Sequence, residues 1–264
     1  MLLSIFGGLT GVILVVAIIA FSFAIALSAL ELFATITAFA IRIKSRRMRK
    51  LDISNGHTTA ESVRVFLDSN GMSDVPVQEA GFWRGLFFGN HYSIKHNVFY
   101  IRKRQMNVKN LANVTDSVQR VAKAVEYKEG SKGTKALIKF QSGIVFMPYL
   151  VIPIVLIGVI IDALLFHFED NYLVSLIAAF VGLAFFIFAA ILMFMTIKVE
   201  KKSNQRALEM MQQSNFLNEE EYGKVESIFK WRIILYVVNF IIALIRIIQL
   251  LFKILGIFLK RGRK

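Results

Sequence analysis

Cysteine is absent from the 264 residues, which excludes disulfides, a thiol nucleophile and any Cys-based zinc or iron–sulfur site. Proline occurs only 3 times, too few for a proline-rich linker. Charged residues are scarce at 19%, which excludes a disordered, self-repelling chain. Acids are scarcer than bases: 18 Asp and Glu stand against 32 Lys and Arg, a net charge of +14. What is abundant is apolar, at 56% of residues, above the ~45–50% usual in soluble domains. The mean hydropathy is +0.57. A chain this apolar is not an ordinary soluble globule. Its basic excess points first to membrane topology and anionic headgroups, ahead of nucleic acid.

Long hydrophobic runs carry that reading. Residues 1–41 hold one charge, Glu31. A helix of that length would reach ~60 Å, about twice a hydrocarbon core, so one span with a helical extension is expected, over roughly 5–30. It is too long for a signal-peptide core, and retention is expected. The block Arg42, Lys44, Arg46, Arg47, Arg49 and Lys50 follows and puts that flank inside by the positive-inside rule. Residues 143–166 hold only Asp162, and 172–197 hold no charge, so each is long enough to span. The His167–Asn171 link has no Lys or Arg and reads as a short outside loop.

The last apolar stretch, 232–259, carries Arg232, Asn239, Arg246, Lys253 and Lys260 every seven residues. On a helix these form one slowly drifting stripe. Either the stripe faces the interior of a tilted fourth membrane helix, or it lies toward headgroups at the interface. The first is preferred, although a full fourth span would put the basic tail outside, against the rule.

Between the spans, residues 51–140 are polar enough to fold in water. Thr58-Thr59-Ala60-Glu61 is a capping box, and its helix is expected to run to Ser69 and stop at Asn70-Gly71. Val75-Pro76-Val77 opens an extended stretch, and Gly81–Gly89 reads as an aromatic loop. His91–Ile94 and Val98–Arg102 flank Lys95-His96-Asn97 as a hairpin. A second helix is expected over about 108–129, ended by Gly130 and Gly133. Residues 198–231 read as helical, charged and inside, with a second capping box at Asn218–Glu221. The organisation expected is an N-terminal span with basic flank (1–50), a cytoplasmic α+β region (51–140), a transmembrane hairpin (141–197), a cytoplasmic helical segment (198–231), and a C-terminal membrane helix with basic tail (232–264).

The run HTTAESVRVFLDSNGM ending at Met72, the following Asp74-Val75-Pro76-Val77, His91-Tyr92, Val199-Glu200 with Arg206-Ala207-Leu208, and the acidic Asn218–Gly223 turn together resemble the YugP-type membrane zinc metallopeptidases. The likeness covers about 57–264, and Leu67-Asp68-Ser69-Asn70-Gly71 is its most specific part. It implies a zincin-like cytoplasmic core with His-Glu-x-x-His on a helix. There, histidines at i and i+4 would hold zinc and the Glu would activate water. Counting from Asn110–Val114 and Ala124-Val125, the motif falls on Gln119-Arg120-Val121-Ala122-Lys123, so both histidines and the glutamate are missing. The family's third ligand, a carboxylate, maps onto Glu200, which survives. An ion pair of Glu200 with Lys123 or Arg120 in place of the metal is expected.

No other chemistry stands out. His57, His91, His96 and His167 include no i,i+4 pair. There is no Walker A spacing, dinucleotide-binding glycine pattern or Gly-x-Ser-x-Gly elbow, and Gly130–Lys135 reads as a flexible basic loop. The basic runs Arg102-Lys103-Arg104 and Lys128–Lys139 lie next to membrane segments, so lipid headgroups rather than nucleic acid are the expected partner. The expected fold is an α+β, mostly helical membrane protein. The expected function is that of an inactive metallopeptidase-like scaffold or regulator without metal or cofactor. It would contact membrane lipids, and membrane proteins or extended polypeptides taken up by strand addition near His91–Ile94 or Val98–Arg102, in a bacterial cytoplasmic membrane. An active peptidase with a non-standard zinc site is the second reading, and a small transporter or channel subunit, argued from the heptad stripe, the third.

Overall fold

A computed structural model of the chain describes residues 2–138, 140, 153–154, 156–158, 160–161 and 173–261. The chain divides into two compact units, one of residues 1–36, 141–194 and 236–264, the other of 37–140 and 195–235. Three long helices contribute to both: α1 (Leu2–Met48), α6 (Leu173–Gln213) and α7 (Glu219–Arg261).

Residues 2–41 lie in one continuous helix, because nothing in them breaks it. The windows Phe21–Met48, Phe180–Gln213 and Glu219–Gln249 are long and apolar enough to cross a membrane. The protein is therefore integral to a membrane. The expected span 143–166 and the His167–Asn171 link lie largely or wholly outside the described residues. Leu183, Ala190 and Ile247 pack together with Phe186 and Phe240, and the Phe194 and Phe240 rings lie 5.7 Å apart. Arg246 of the heptad stripe meets Glu31, the lone charge of the first forty-one residues, at 2.6 Å. A charge in an apolar span needs such a partner, which accounts for both residues. Asn239 lines the same cleft of about 450 Å³.

In the polar unit, the sequence signals become observed caps. Thr58 Oγ1 accepts from the Glu61 amide while Glu61 accepts from the Thr58 amide, opening α2 (Thr59–Ser69). Asn70 caps its end, and Gly71 supplies the positive φ of 69° that closes it. Three strands follow in the order β1-β3-β2: β1 (Val77–Ala80) parallel to β3 (Val98–Arg102), and β2 (His91–Ser93) antiparallel to it with His91 opposite Tyr100. The hairpin is as expected, but Val98–Arg102 is the central strand and has no free edge; β1 and β2 are the edge strands.

Two segments expected as loops are helical. Gly81–Gly89 encloses α3 (Phe82–Phe88). Its aromatic residues are weak helix formers, and no side chain caps it, so the sequence signal was poor. Gly130 turns the chain at φ 90°, after which residues 132–138 are helical instead of a flexible loop. The short α4 (Lys103–Met106) leads to α5 (Leu111–Lys128), capped by Asn110 Oδ1 accepting from the Asn113 amide. Asn218 and Glu221 form the second capping box, at the start of α7. Glu221 also accepts from the Ser54 amide and hydroxyl at 2.7 and 2.9 Å, tying the chain after α1 to this helix.

The core of this unit is one cluster. Val63, Phe66 and Leu67 of α2, Phe99 and Ile101 of β3, and Val114, Val118, Val121 and Ala122 of α5 meet Ala207 and Met211 of α6 and Val225, Ile228 and Phe229 of α7. Burying side chains of this size contributes about 1.5–3 kcal/mol each. That packing clamps α5 against α6 and fixes which of their polar residues face one another.

Candidate functional site

One face of α5 is apolar and feeds the core. Gln119, Lys123 and Glu126 lie together on another, at spacings of four and three, as one helical stripe. On α6, Glu200, Ser203, Asn204 and Ala207 follow the same period. Ala207 enters the core, and its neighbours on the stripe meet the stripe of α5. The junction holds seven buried polar or charged side chains: Gln119, Lys123, Glu126, Thr134, Glu200, Ser203 and Asn204.

Glu200 is the hub. Its Oε1 accepts from Lys123 Nζ in an ion pair whose side chains are 10% and 9% exposed. Its Oε2 accepts from the Gln119 amide at 2.5 Å, and the same amide donates to Asn204 Oδ1 at 2.7 Å. Burial pushes the Lys123 ammonium below its ordinary value; the Glu200 carboxylate works the other way, while the nearby Arg120 charge reinforces the shift. One turn further on, Glu126 Oε2 accepts from Thr134 Oγ1 at 2.7 Å and from Ser203 Oγ at 3.3 Å.

A second ion pair flanks the first. Arg232 donates to Asp116 at 3.1 Å. The Asp116 side chain keeps 38% of its surface but is closely surrounded by protein. That desolvation favours the neutral acid, yet the Arg120 and Arg232 charges outweigh it and hold the carboxyl below the usual range. Two of the cations that made the heptad stripe conspicuous thus have carboxylate partners, Arg232 here and Arg246 in the apolar unit.

β2 packs against α5 and borders the junction. His91 on this strand is half-buried between the Phe88 and Tyr100 rings, each 5.5 Å away, and its Nδ1 lies 3.0 Å from the Gly89 carbonyl. Burial pushes its pKa down, only partly opposed by that carbonyl, which favours the neutral ring. His57 stacks on Phe216 at 5.6 Å, and its amide donates to Asn55.

The family model described as "Putative neutral zinc metallopeptidase" matches residues 22–255. The chain belongs to this family. The "Putative membrane protease YugP" of Bacillus subtilis (strain 168) is 23% identical over 211 residues, covering 80% of this chain and 87% of that protein. No solved structure gives a significant match.

Family membership suggests zinc, and the junction provides a test of fit. Gln119 and Lys123 stand at i and i+4 on one helix face, opposite a carboxylate from a second helix, which is a sound scaffold for a metal. The donors are wrong. An ammonium already occupies one oxygen of Glu200, and an amide nitrogen occupies the other. Lysine would have to lose its proton to bind a cation, and the Arg120 guanidinium will not lose one. Among the described residues no three His, Cys, Asp or Glu side chains gather closely enough to hold a metal ion. The residues present do not fit zinc.

Of the four positions singled out in the sequence, Gln119, Lys123 and Glu200 are in direct contact. Arg120 lies near enough to bias both Asp116 and Lys123. The sequence reading missed Asn204, Ser203, Glu126, Thr134 and the Asp116–Arg232 pair. Ser203 and Asn204 follow Lys201 and Lys202 and look like solvent-facing positions. Only their helical period with Glu200 and Ala207 marks them otherwise.

Proposed function

We propose that this chain is a catalytically inactive member of its metallopeptidase family, retaining the family's membrane-embedded scaffold without its metal chemistry. The observation that carries the proposal is the double engagement of Glu200 by Lys123 and Gln119. A fixed ammonium and an amide stand where divalent charge would be needed. Such a junction can hold two helices in register; it offers no Lewis acid and no activated water.

The role we assign is that of a scaffold or regulator that binds membrane proteins or extended polypeptides. β2 is a three-residue edge strand beside α5, and an extended segment added to it would gain backbone hydrogen bonds. The basic block 42–50 supports placing the 51–140 region on the cytoplasmic side of a bacterial membrane, beside anionic headgroups.

The test compares wild type with a Gln119→His, Arg120→Glu, Lys123→His variant, each purified in detergent with zinc and incubated with unfolded polypeptide. The expected result is no hydrolysis by wild type and chelator-sensitive hydrolysis only by the variant. Chelator-sensitive hydrolysis by wild type would overturn the proposal and favour a peptidase with a non-standard metal set.

A further inference from the structure

Helix α3 is inside out for a water-facing domain. Phe82, Trp83, Leu86 and Phe87 are 76%, 69%, 58% and 62% exposed. Its inward face carries the polar contacts. The Arg84 guanidinium lies 4.4 Å over the Tyr100 ring, and the Gly85 carbonyl accepts from Arg102 Nε at 2.7 Å. Gly85 is the buried position of the helix and faces Ala80 of β1 and Arg102 of β3. The outward rings are ordered against one another, Phe82 edge-on to Trp83 at 5.4 Å and Trp83 stacked on Phe87 at 6.2 Å. Contiguous exposed aromatics held rigidly by polar anchors behind them form a surface made for an apolar contact.

The charge around it names the contact. A cleft of about 670 Å³ beside α3 is lined by Phe82 and Leu86 on one side and by Arg102, Lys103 and Arg104 on the other. Glu79 sits 3.4 Å from Lys103, leaving the rim with three cations and one carboxylate. Trp and Phe over a Lys/Arg rim is the composition of a segment lying at the boundary between acyl chains and anionic headgroups. A bilayer is always at hand, because the same chain is integral to one. We infer that α3 is an interfacial anchor: Phe82, Trp83, Leu86 and Phe87 insert among the outer acyl carbons of the bilayer, and Lys103 and Arg104 engage anionic phosphates.

The chain has two tryptophans, so Trp231→Phe leaves Trp83 as the single emitter. The full-length protein is reconstituted into phosphatidylcholine vesicles with and without phosphatidylglycerol. Trp83 is then read with aqueous iodide and with lipids brominated near the headgroup end of the acyl chain. The inference expects loss of iodide quenching, strong bromolipid quenching, and a red shift with loss of bromolipid quenching on joint Phe82→Ser and Phe87→Ser replacement. Joint Lys103→Glu and Arg104→Glu replacement is expected to remove any gain conferred by phosphatidylglycerol. Full iodide quenching overturns the inference, and so does shelter from both quenchers, which would mean a protein covers the face. A phosphatidylglycerol response that survives charge reversal overturns the headgroup assignment. These four side chains are exposed and no part of the core, so misfolding does not confuse the readout.

Discussion

Replacing Lys123 by methionine keeps the length and apolar stem of the side chain and removes only the ammonium. Glu200 then remains in a junction where its side chain was 9% exposed, with one oxygen on Gln119 and the other without its cation. Two unit charges about 4 Å apart at an effective dielectric of about 20 attract by about 4 kcal/mol. Breaking one partner of a buried pair costs about 3–5 kcal/mol, because the survivor is stranded. Lys123→Met and Glu200→Met are therefore each expected to destabilise by about that amount. Removing both charges, as Lys123→Met with Glu200→Met, is expected to restore most of the loss, since apolar replacement of a whole buried pair is often close to neutral. The cycle should give a coupling of about 5–8 kcal/mol, the sum of the single losses less the small loss left in the double, measured by reversible denaturant unfolding in detergent with zinc content recorded in parallel. If the single losses add to within about 0.5 kcal/mol of the double, the two side chains are not coupled and the electrostatic reading of the junction is wrong.

Asp116→Asn should alter the acid limb of the stability–pH curve. A carboxyl whose folded pKa lies below the ordinary aspartate value of 3.8 stabilises fully above that value and loses its contribution as pH falls through the folded pKa. Stability of wild type should thus decline below about pH 4 more steeply than that of the variant, as checked by unfolding at stepped pH. Glu31→Gln should destabilise the apolar unit by about 2–3 kcal/mol by leaving Arg246 without its carboxylate in an apolar span, and exchanging the pair (Glu31→Arg with Arg246→Glu) should recover much of it; thermal unfolding in nanodiscs reads both. Thr58→Ala removes an observed helix cap and should cost about 1 kcal/mol by the same assay.

Local chemistry was legible in the sequence where it acts over three or four residues. Thr58 with Glu61, Asn70-Gly71, and Asn218 with Glu221 each form the cap their spacing specifies. Gln119 and Lys123 could be placed on one helix face by period alone, and family resemblance supplied Glu200 as their partner across the fold. The rest depends on contacts far apart in sequence. Nothing near Arg232 announces Asp116, 116 residues earlier, and nothing near Arg246 announces Glu31, 215 residues earlier. Ser203 and Glu126 meet because α5 and α6 share a core, not because either segment advertises a buried polar face. α3 escaped notice because aromatic side chains and a central glycine are poor helix signals, and because its outward apolar face inverts the rule by which amphipathic helices are recognised.

Zinc stoichiometry tests the central claim most directly. Wild-type protein and the Gln119→His, Arg120→Glu, Lys123→His variant are equilibrated with excess zinc, dialysed against metal-free buffer and measured by mass spectrometry of the metal. Lysine and glutamine holding Glu200 predict a wild type that retains essentially none and a variant that retains about one ion per chain. One tightly held zinc ion per wild-type chain would contradict the account.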